Sequence, residues 1–358
     1  RLMNAALATS SVPPPTREQR QVTSSPNASP TSLDSLPRLS GKVPDFIIGG
    51  AMKSGTSTLH HLLNEHPDVF VPEGEVSFFD VDDVEQHADY FVFHEDRWRY
   101  CDFQRRFDRM CRWYRSRFES AQPGQMIGED STGYLASDKA SERIARCLPD
   151  AKLVFLLRDP ASRSYSHYWH MLRTGREVHD FEDSLQLTPG NTLQRSRYRP
   201  QVERYLKCFP REQMMFVLFE EFIRDVPGVL SRVLDFLGLD DRIDLDRIES
   251  HRNPGRLPRF PSAQRWSNWM FRRAAMKLYL ERNDWALQWE DCSPVRRGLM
   301  TQWGLKLHRL INPLTDRKPP PMKPATRSFL NDLFRRENAG LADLIGQDVE
   351  EFWFKEAR

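Results

Sequence analysis

The chain has 358 residues, of which 39% are hydrophobic and 28% are charged, and its formal net charge is +2. This length and apolar content allow one large α/β domain or two smaller ones, and the near-neutral charge gives no support to nucleic-acid binding. The sequence has no run of about 18 or more apolar residues and so predicts no membrane-spanning helix. Because the chain begins at Arg1, an anchor or signal upstream of it stays an open expectation.

The cysteines give little sign of a metal site or of a particular compartment. There are five of them, with no CxxC pair and no histidine at zinc spacing, so we expect no metal site. A disulfide between Cys101 and Cys111, which flank an expected helix, stays open.

The first 42 residues differ in composition from the rest of the chain. They are rich in Ser, Pro, Thr and Ala and include Pro13-Pro14-Pro15. Such a segment cannot bury enough apolar surface to fold, so we expect a disordered leader or stem over 1–42. The folded domain is expected to occupy residues 43–358.

An anion-binding loop is predicted near the start of this domain. An apolar strand over 46–48 leads into a loop containing Gly49, Gly50 and Gly55, and a helix begins near Thr56. Free backbone N–H groups and the positive end of the helix dipole favour a phosphate or sulfate there. The residues expected to hold the anion are Lys53, Ser54, Gly55, Thr56, Ser57 and Thr58. Three nearby histidines, His60, His61 and His66, are expected on the helix surface.

The remaining pattern alternates apolar strands with helices. Strands are predicted at 69–71, 126–129, 152–157 and 214–219, and helices at 102–120, 137–147, 161–173, 229–237 and 324–346. The continuous apolar run 152–157 is typical of a central strand buried on both faces. Alternation of this kind predicts an α/β fold with a central parallel sheet flanked by helices.

Two motifs together suggest what the loop binds. The order Lys-Ser-Gly-Thr-Ser-Thr differs from a nucleotide-binding P-loop, whose lysine follows the last glycine. It resembles the 5′-phosphosulfate loop of sulfotransferases that use 3′-phosphoadenosine 5′-phosphosulfate (PAPS). The segment from Arg158 to Ser166 resembles the family's 3′-phosphate site, with an arginine at a strand end and a serine eight residues later. The resemblance implies a three-layer, P-loop-like fold and PAPS as co-substrate, without a metal.

A third motif points to carbohydrate sulfotransferases, especially the heparan sulfate and chondroitin type. Gly74-Glu75-Val76-Ser77-Phe78-Phe79 resembles the stretch that carries their general base. The resemblance therefore implies that Glu75 is the base and that Lys53 stabilises the leaving oxygen. It also implies a carbohydrate acceptor, such as a glycosaminoglycan, and residence in the Golgi lumen, with a cytoplasmic location as the alternative.

Some positions depart from that pattern or match it loosely. Asp130 replaces a lysine and Gly133 a proline in the segment that follows the strand at 126–129. Tyr198 stands where the family has a tyrosine near the adenine, and a packing role fits it as well. Arg317 and Lys318 stand where relatives place a basic loop over the nucleotide.

The region 251–310 does not follow the family pattern and is expected to be an insertion. Its basic and aromatic residues predict a helix that covers an anionic substrate or lies on a membrane surface. A surface helix with packed aromatics and solvated arginines is an equal alternative. Two other functions stay open for the chain: a kinase-like phosphoryl transferase, and an inactive protein that binds anionic glycans.

Overall fold

A computed structural model describes residues 36–94, 96–243, 256–282 and 299–354. The strands are β1 Phe46–Gly50, β2 Val69–Phe70, β3 Val92–His94, β4 Arg97–Arg99, β5 Met126–Asp130, β6 Lys152–Leu157, β7 Met214–Leu218, β8 Leu257–Pro258 and β9 Leu314–Thr315. The helices are α1 Thr56–Asn64, α2 Phe107–Ser116, α3 Ala140–Cys147, α4 Pro160–Arg173, α5 Phe181–Leu187, α6 Pro189–Thr192, α7 Tyr198–Cys208, α8 Phe219–Arg224, α9 Val226–Leu237, α10 Pro261–Arg282, α11 Leu299–Ile311, α12 Pro324–Glu337, α13 Leu341–Ile345 and α14 Val349–Trp353.

The central sheet has five strands in the order β2-β5-β1-β6-β7, and every neighbouring pair is parallel. This confirms the predicted α/β fold. The middle strand β1 is buried along its whole length, as its apolar sequence requires. Because all five strands run the same way, the loops that follow β1, β5 and β6 meet at one edge of the sheet.

Helices cover both faces of the sheet and give three layers. On one face, Ile48, Val154 and Val217 pack with α1 and α9 in one core cluster. On the other face, Ile47, Phe155 and Phe216 pack in a larger cluster with α2, α3, α4, α7 and the C-terminal helices. Alternate residues of each strand therefore serve the two cores, as the strand period of two dictates.

Two expectations need correction. Leu36 and Leu39, assigned to the leader, are buried in the larger core, so the folded domain begins by residue 36 rather than at 43. Residues 1–35 lie outside the described part. The helix predicted over 324–346 is divided into α12 and α13, because Gly340 adopts a left-handed φ of 82° at the start of α13.

The β3–β4 hairpin is not among the elements predicted from the sequence. The structure also gives the positions of the cysteine thiols in its described part. Cys101 Sγ lies 3.3 Å from Met110 Sδ, and Cys111 is a buried free thiol, so these two cysteines are not bonded to each other. Cys292 lies outside the described residues. In the described ranges, no helix combines the length and apolar character needed to cross a bilayer.

The region expected to be an insertion forms two helices closed by a short strand pair. Strands β8 and β9 are antiparallel and bring together the chain before α10 and after α11. The side chains of Gln264 in α10 and His308 in α11 join the helices by a hydrogen-bond contact of 3.0 Å. Residues 283–298 between the helices are outside the described ranges.

Candidate active site at the carboxyl edge of the sheet

The loop between β1 and α1 presents a row of unused donors. The N–H groups of Gly55, Thr56 and Ser57 have no protein acceptor among the described residues, as expected in the first turn of a helix. The Ser54 hydroxyl is buried and also lacks a partner within the described structure. Thr56 is buried, Thr58 is half-buried and Ser57 is exposed. These groups form an anion cradle of the kind the sequence predicts.

Backbone geometry explains why Gly55 is needed in this cradle. Its φ of 89° is left-handed, and a Cβ would lie 3.0 Å from the Phe219 ring. A larger residue would therefore be strained and would push Phe219 away from the loop. Lys53 also adopts a left-handed φ of 71°, an uncommon conformation for a lysine.

Arg158 joins the end of β6 to this loop. Its Nη1 donates to the carbonyl of Lys53 at 3.0 Å, and its guanidinium stacks 4.6 Å above the Phe219 ring. Arg158 Nε is buried without a partner in the described structure, so one donor of the guanidinium is available to an anion. The structure thus brings together the two halves of the predicted nucleotide site.

Lys53 lies in a strongly cationic environment. Burial, together with the charges of Arg173 and Arg158, lowers its pKa to about 8, and the charge of Glu75 opposes this fall. Lys53 and Glu75 are therefore close enough to influence each other, as the predicted roles require. Arg173, at the end of α4, was not predicted to belong to the site.

Glu75 is accessible to solvent yet closely surrounded by protein. Desolvation raises its pKa to about 7, and the nearby charge of Asp130 adds to this effect. The Thr132 hydroxyl donates to Glu75 Oε1 at 2.9 Å and acts in the opposite direction. A carboxylate with this pKa is a competent general base near neutral pH.

The loop that carries Glu75 is fixed by residues at the end of β5. Tyr134 Oη accepts from the N–H groups of Phe78 at 2.8 Å and Phe79 at 3.2 Å. Ser131 Oγ accepts from the N–H of Ser77 at 2.9 Å. Three of the four amides directly after Glu75 are therefore held by two side chains.

Both of those side chains are anchored by one buried carboxylate, Glu129. It accepts from Ser131 Oγ at 2.7 Å and from the hydroxyls of Tyr134 and Tyr114. Complete burial raises the pKa of Glu129 to about 7, and the three hydrogen bonds oppose this rise. Ser77 is held at a left-handed φ of 48°, so the anchored contacts support a strained backbone next to the candidate base.

The two departures at Asp130 and Gly133 have structural reasons. Asp130 is buried and its Oδ2 lies 3.3 Å from Nδ1 of His60. A Cβ at Gly133 would lie 2.5 Å from Asp80 Oδ2, so the buried Asp80 occupies the space that a larger residue would need. The expectation that His60 and His66 lie on the helix surface is wrong, because both are buried.

Other predicted residues lie around the nucleotide half of the site. Ser166 is half-buried on the second turn of α4. Tyr198 is fully buried, and its hydroxyl donates to the carbonyl of Arg158 at 2.9 Å, so it supports that arginine from below. Arg317 and Lys318 are exposed, in a segment whose Pro320 carbonyl accepts from the Tyr165 hydroxyl of α4 at 2.9 Å. Nucleotide contacts by these four residues stay predictions.

Arg327 of α12 was missed by the sequence analysis. Its guanidinium donates to both carboxylate oxygens of Asp159, at 3.2 and 2.6 Å, and to Ser162 Oγ at 2.9 Å. Asp159 directly follows Arg158 and caps α4 by accepting from the N–H of Ser162. Arg327 therefore adds a cation beside Arg158, whose pKa its charge lowers.

Within the described ranges, no three His, Cys, Asp or Glu side chains form a group that could hold a metal ion. The site instead offers a cradle of backbone and hydroxyl donors, several cations and one candidate base. This combination at the carboxyl edge of a parallel α/β sheet is suited to a group-transfer enzyme with an anionic donor.

The family profile named Sulfotransferase family matches residues 44–243, more than half of the chain, and the chain belongs to this family. The human heparan sulfate glucosamine 3-O-sulfotransferase 3B1 is 32% identical over 221 residues, which are 59% of this chain and 50% of that protein. Mouse heparan sulfate glucosamine 3-O-sulfotransferase 6 is 29% identical over 216 residues, 57% of this chain and 56% of that protein. The match spans about half the length of these relatives.

A solved sulfotransferase from Alicyclobacillus acidocaldarius is similar in fold. It has 24% sequence identity and a TM-score of 0.55, and the match covers 87% of this chain and 98% of that one. The family match ends before α10, so the region 251–310 lies outside it.

Proposed function

We propose that this protein moves a sulfuryl group from PAPS to a hydroxyl of a carbohydrate acceptor by in-line transfer, with Glu75 as general base. The observation that carries this proposal is the pairing of Glu75 and Lys53 at one edge of the sheet, with pKa values of about 7 and 8. This chemistry needs a carboxylate that can accept a proton near neutral pH and a lysine that stays protonated there.

The reaction needs one proton acceptor and one stabiliser of negative charge. Glu75 takes the proton of the acceptor hydroxyl as that oxygen forms a bond to sulfur. The bond from sulfur to the bridging oxygen of the donor breaks, and its electron pair stays on the departing 3′,5′-bisphosphate. Lys53 stabilises the charge that grows on this bridging oxygen, and its buried setting strengthens the effect.

The nucleotide is held from two sides in this proposal. The N–H groups of Gly55 to Ser57, with the hydroxyls of Ser54, Thr56 and Thr58, bind the 5′-phosphosulfate. Arg158 and Ser166 bind the 3′-phosphate. The unpartnered Ser54 Oγ and Arg158 Nε support this assignment, because buried donors without partners are costly unless a ligand satisfies them.

A carbohydrate acceptor is supported by the family and by the names of the relatives, which act on heparan sulfate glucosamine. Asp130, in place of a cation, makes the surroundings of Glu75 more acidic than the family pattern. An acceptor hydroxyl without a neighbouring sulfate or carboxylate suits this charge better than a highly anionic one. Residence in the Golgi lumen stays a prediction.

The decisive experiment separates catalysis from nucleotide binding. Glu75→Gln should abolish sulfate transfer and keep the affinity for adenosine 3′,5′-bisphosphate within about twofold, because Glu75 contacts only the acceptor. Arg158→Ala should weaken that affinity by at least about tenfold, the usual cost of losing a charged hydrogen bond. The measurements are calorimetry with the bisphosphate and release of labelled sulfate from PAPS onto a panel of glycans.

Two outcomes would refute the proposal in different ways. Equal loss of nucleotide affinity in both variants would contradict the role of Glu75. Magnesium-dependent turnover of ATP, or glycan binding without consumption of PAPS, would replace the proposed activity by a kinase-like or a purely binding function.

A further inference from the structure

In the part of α10 and α11 whose side chains the structure describes, polar residues are buried and large apolar residues are exposed. The buried positions of α10 include Ser267 and Asn268, whereas Trp266, Trp269 and Met270 are exposed. Asn312, directly after α11, is buried, whereas Trp303, Leu307, Leu310 and Ile311 of α11 are exposed. A water-facing helix shows the opposite arrangement.

The buried polar groups are satisfied, so the inversion is part of the fold. Asn268 Nδ2 donates to the carbonyls of Leu172 at 2.8 Å and Glu177 at 2.7 Å, which ties α10 to the end of α4. Asn312 Oδ1 accepts from the N–H of Phe260 at 2.7 Å. These contacts fix the orientation of each helix. The exposed apolar residues therefore lie on its outer surface.

The exposed apolar residues form a regular stripe. Trp303, Leu307, Leu310 and Ile311 are spaced by four, three and one residues, which places them on one face of α11, and Leu314 follows in β9. Nine large apolar side chains of this region are exposed by between 46% and 79%. They are Phe260, Trp266, Trp269, Met270, Trp303, Leu307, Leu310, Ile311 and Leu314, and we call them the outer apolar set.

Cations accompany this set, and acids are scarce. Lys306 Nζ lies 5.6 Å from the Trp303 ring centre, and the Arg259 guanidinium lies 5.2 Å from that of Phe260. The sequence of α11 contains Lys306 and Arg309 but no Asp or Glu, and that of α10 contains one acid, Glu281, against five Lys and Arg. The surface that covers these helices should therefore be both apolar and negatively charged.

We infer that the outer apolar set docks this protein onto an anionic lipid bilayer, with α10 and α11 lying in the interface. Tryptophan and leucine enter the boundary between headgroups and acyl chains, and flanking lysine and arginine bind anionic headgroups. Three exposed tryptophans among cations match this interface better than a water-exposed surface or an acidic protein partner. The inference does not depend on the proposed sulfotransferase activity.

Flotation with lipid vesicles tests the inference on the intact chain. The protein should float with vesicles of phosphatidylcholine and phosphatidylserine and much less with phosphatidylcholine alone. The triple variant Trp303→Gln, Leu307→Gln, Leu310→Gln should lower the partition coefficient by about a thousandfold, since each large apolar side chain contributes about tenfold. The control Leu187→Gln, Ile223→Gln changes exposed apolar residues elsewhere and should bind as the wild type does.

Circular dichroism and nucleotide affinity establish that the triple variant is folded. Equal flotation of the triple variant and the wild type, or no flotation of the folded wild type, would overturn the inference. Light scattering tests the other possible occupant of this surface, a second copy of the chain. A wild-type dimer that the triple variant converts to a monomer would assign the set to a second copy of the chain and would equally overturn membrane docking.

Discussion

In the proposed mechanism, the pKa values of Glu75 and Lys53 are shifted in opposite directions, and the two shifts predict a narrow working range of pH. The pKa of Glu75 is raised to about 7 and that of Lys53 is lowered to about 8, both mainly by desolvation. Below the first value Glu75 is protonated and cannot accept a proton. Above the second Lys53 is neutral and cannot stabilise the leaving oxygen.

We therefore expect a bell-shaped dependence of kcat/KM on pH, rising through about 7 and falling beyond about 8. Initial rates at low concentrations of both substrates measure it, because kcat/KM reports the free enzyme. A profile without a descending limb in Lys53→Arg, beside a normal descending limb in the wild type, would assign that limb to Lys53. An acid limb well below pH 6 in the wild type would contradict the role of Glu75 as base.

Asp130 contributes to the high pKa of Glu75, since its negative charge disfavours a second carboxylate nearby. Asp130→Asn should therefore lower the pKa of Glu75 and move the acid limb of kcat/KM to lower pH. Glu85→Gln removes an exposed acid that does not act on Glu75 and should leave the limb in place. Equal profiles for both variants would contradict the electrostatic coupling.

The loop after Glu75 depends, as an element, on the end of β5. Tyr134→Phe removes the hydroxyl that accepts from the N–H groups of Phe78 and Phe79 and that binds Glu129. Unpaired buried amides cost about 1–3 kcal/mol. We expect kcat to fall by about tenfold or more, while affinity for adenosine 3′,5′-bisphosphate changes by less than about twofold, because the Tyr134 hydroxyl bonds to the loop after Glu75 and to Glu129 rather than to the nucleotide loop.

A matched control is Tyr168→Phe, which removes another buried tyrosine hydroxyl, one that donates to the His179 carbonyl at 3.2 Å. It should keep kcat near the wild-type value. If both variants lose kcat equally, the effect comes from general loosening, and the positioning of Glu75 by Tyr134 is not supported.

Among the helices and strands, the sequence predicts those whose apolar residues form a clear pattern over a short stretch of chain. The strand at 152–157 was predicted at its observed bounds, because five consecutive apolar residues after Lys152, bounded by turn signals, are a strong local pattern. The β3–β4 hairpin was missed, because its strands have three residues each and exposed aromatics such as Phe93 and Trp98. Short strands of this kind carry no clear period.

The site shows the same division between local and distant information. The cradle at Ser54–Thr56, Arg158 and Glu75 all follow from contiguous motifs. The part played by Glu129 depends on a distant contact, because Ser131 and Tyr134, which bond to it, hold a loop that lies 54 to 56 residues away in sequence. Arg327 is separated from Asp159 by 168 residues, so no spacing rule could pair them.

Across the whole molecule, the C-terminal helices complete the core although the family match ends at residue 243. Trp353 is buried, packs 5.7 Å from the ring of Tyr198, and its Nε1 donates to Glu220 Oε2 at 3.0 Å. Glu220 Oε1 in turn accepts from the N–H of Asp159 at 3.0 Å. The last helix therefore supports the strand end that carries Arg158.

Trp353→Ala should lower the free energy of unfolding by about 3–5 kcal/mol, the usual cost of a large cavity. Denaturant titration measures this loss. Phe329→Ala changes an aromatic residue of α12 that is half exposed and should cost less than about 1 kcal/mol. Similar losses in the two variants would show that Trp353 does not hold the core together.

The bidentate grip of Arg327 on Asp159 has a thermodynamic consequence. If docking of α12 raises the affinity for the nucleotide, the nucleotide must strengthen docking of α12 by the same factor. Adenosine 3′,5′-bisphosphate should therefore slow proteolysis and amide exchange over Pro324–Glu337, and Arg327→Ala should abolish this protection while the sheet stays protected. In that case one ion pair couples occupancy of the proposed donor site to α12.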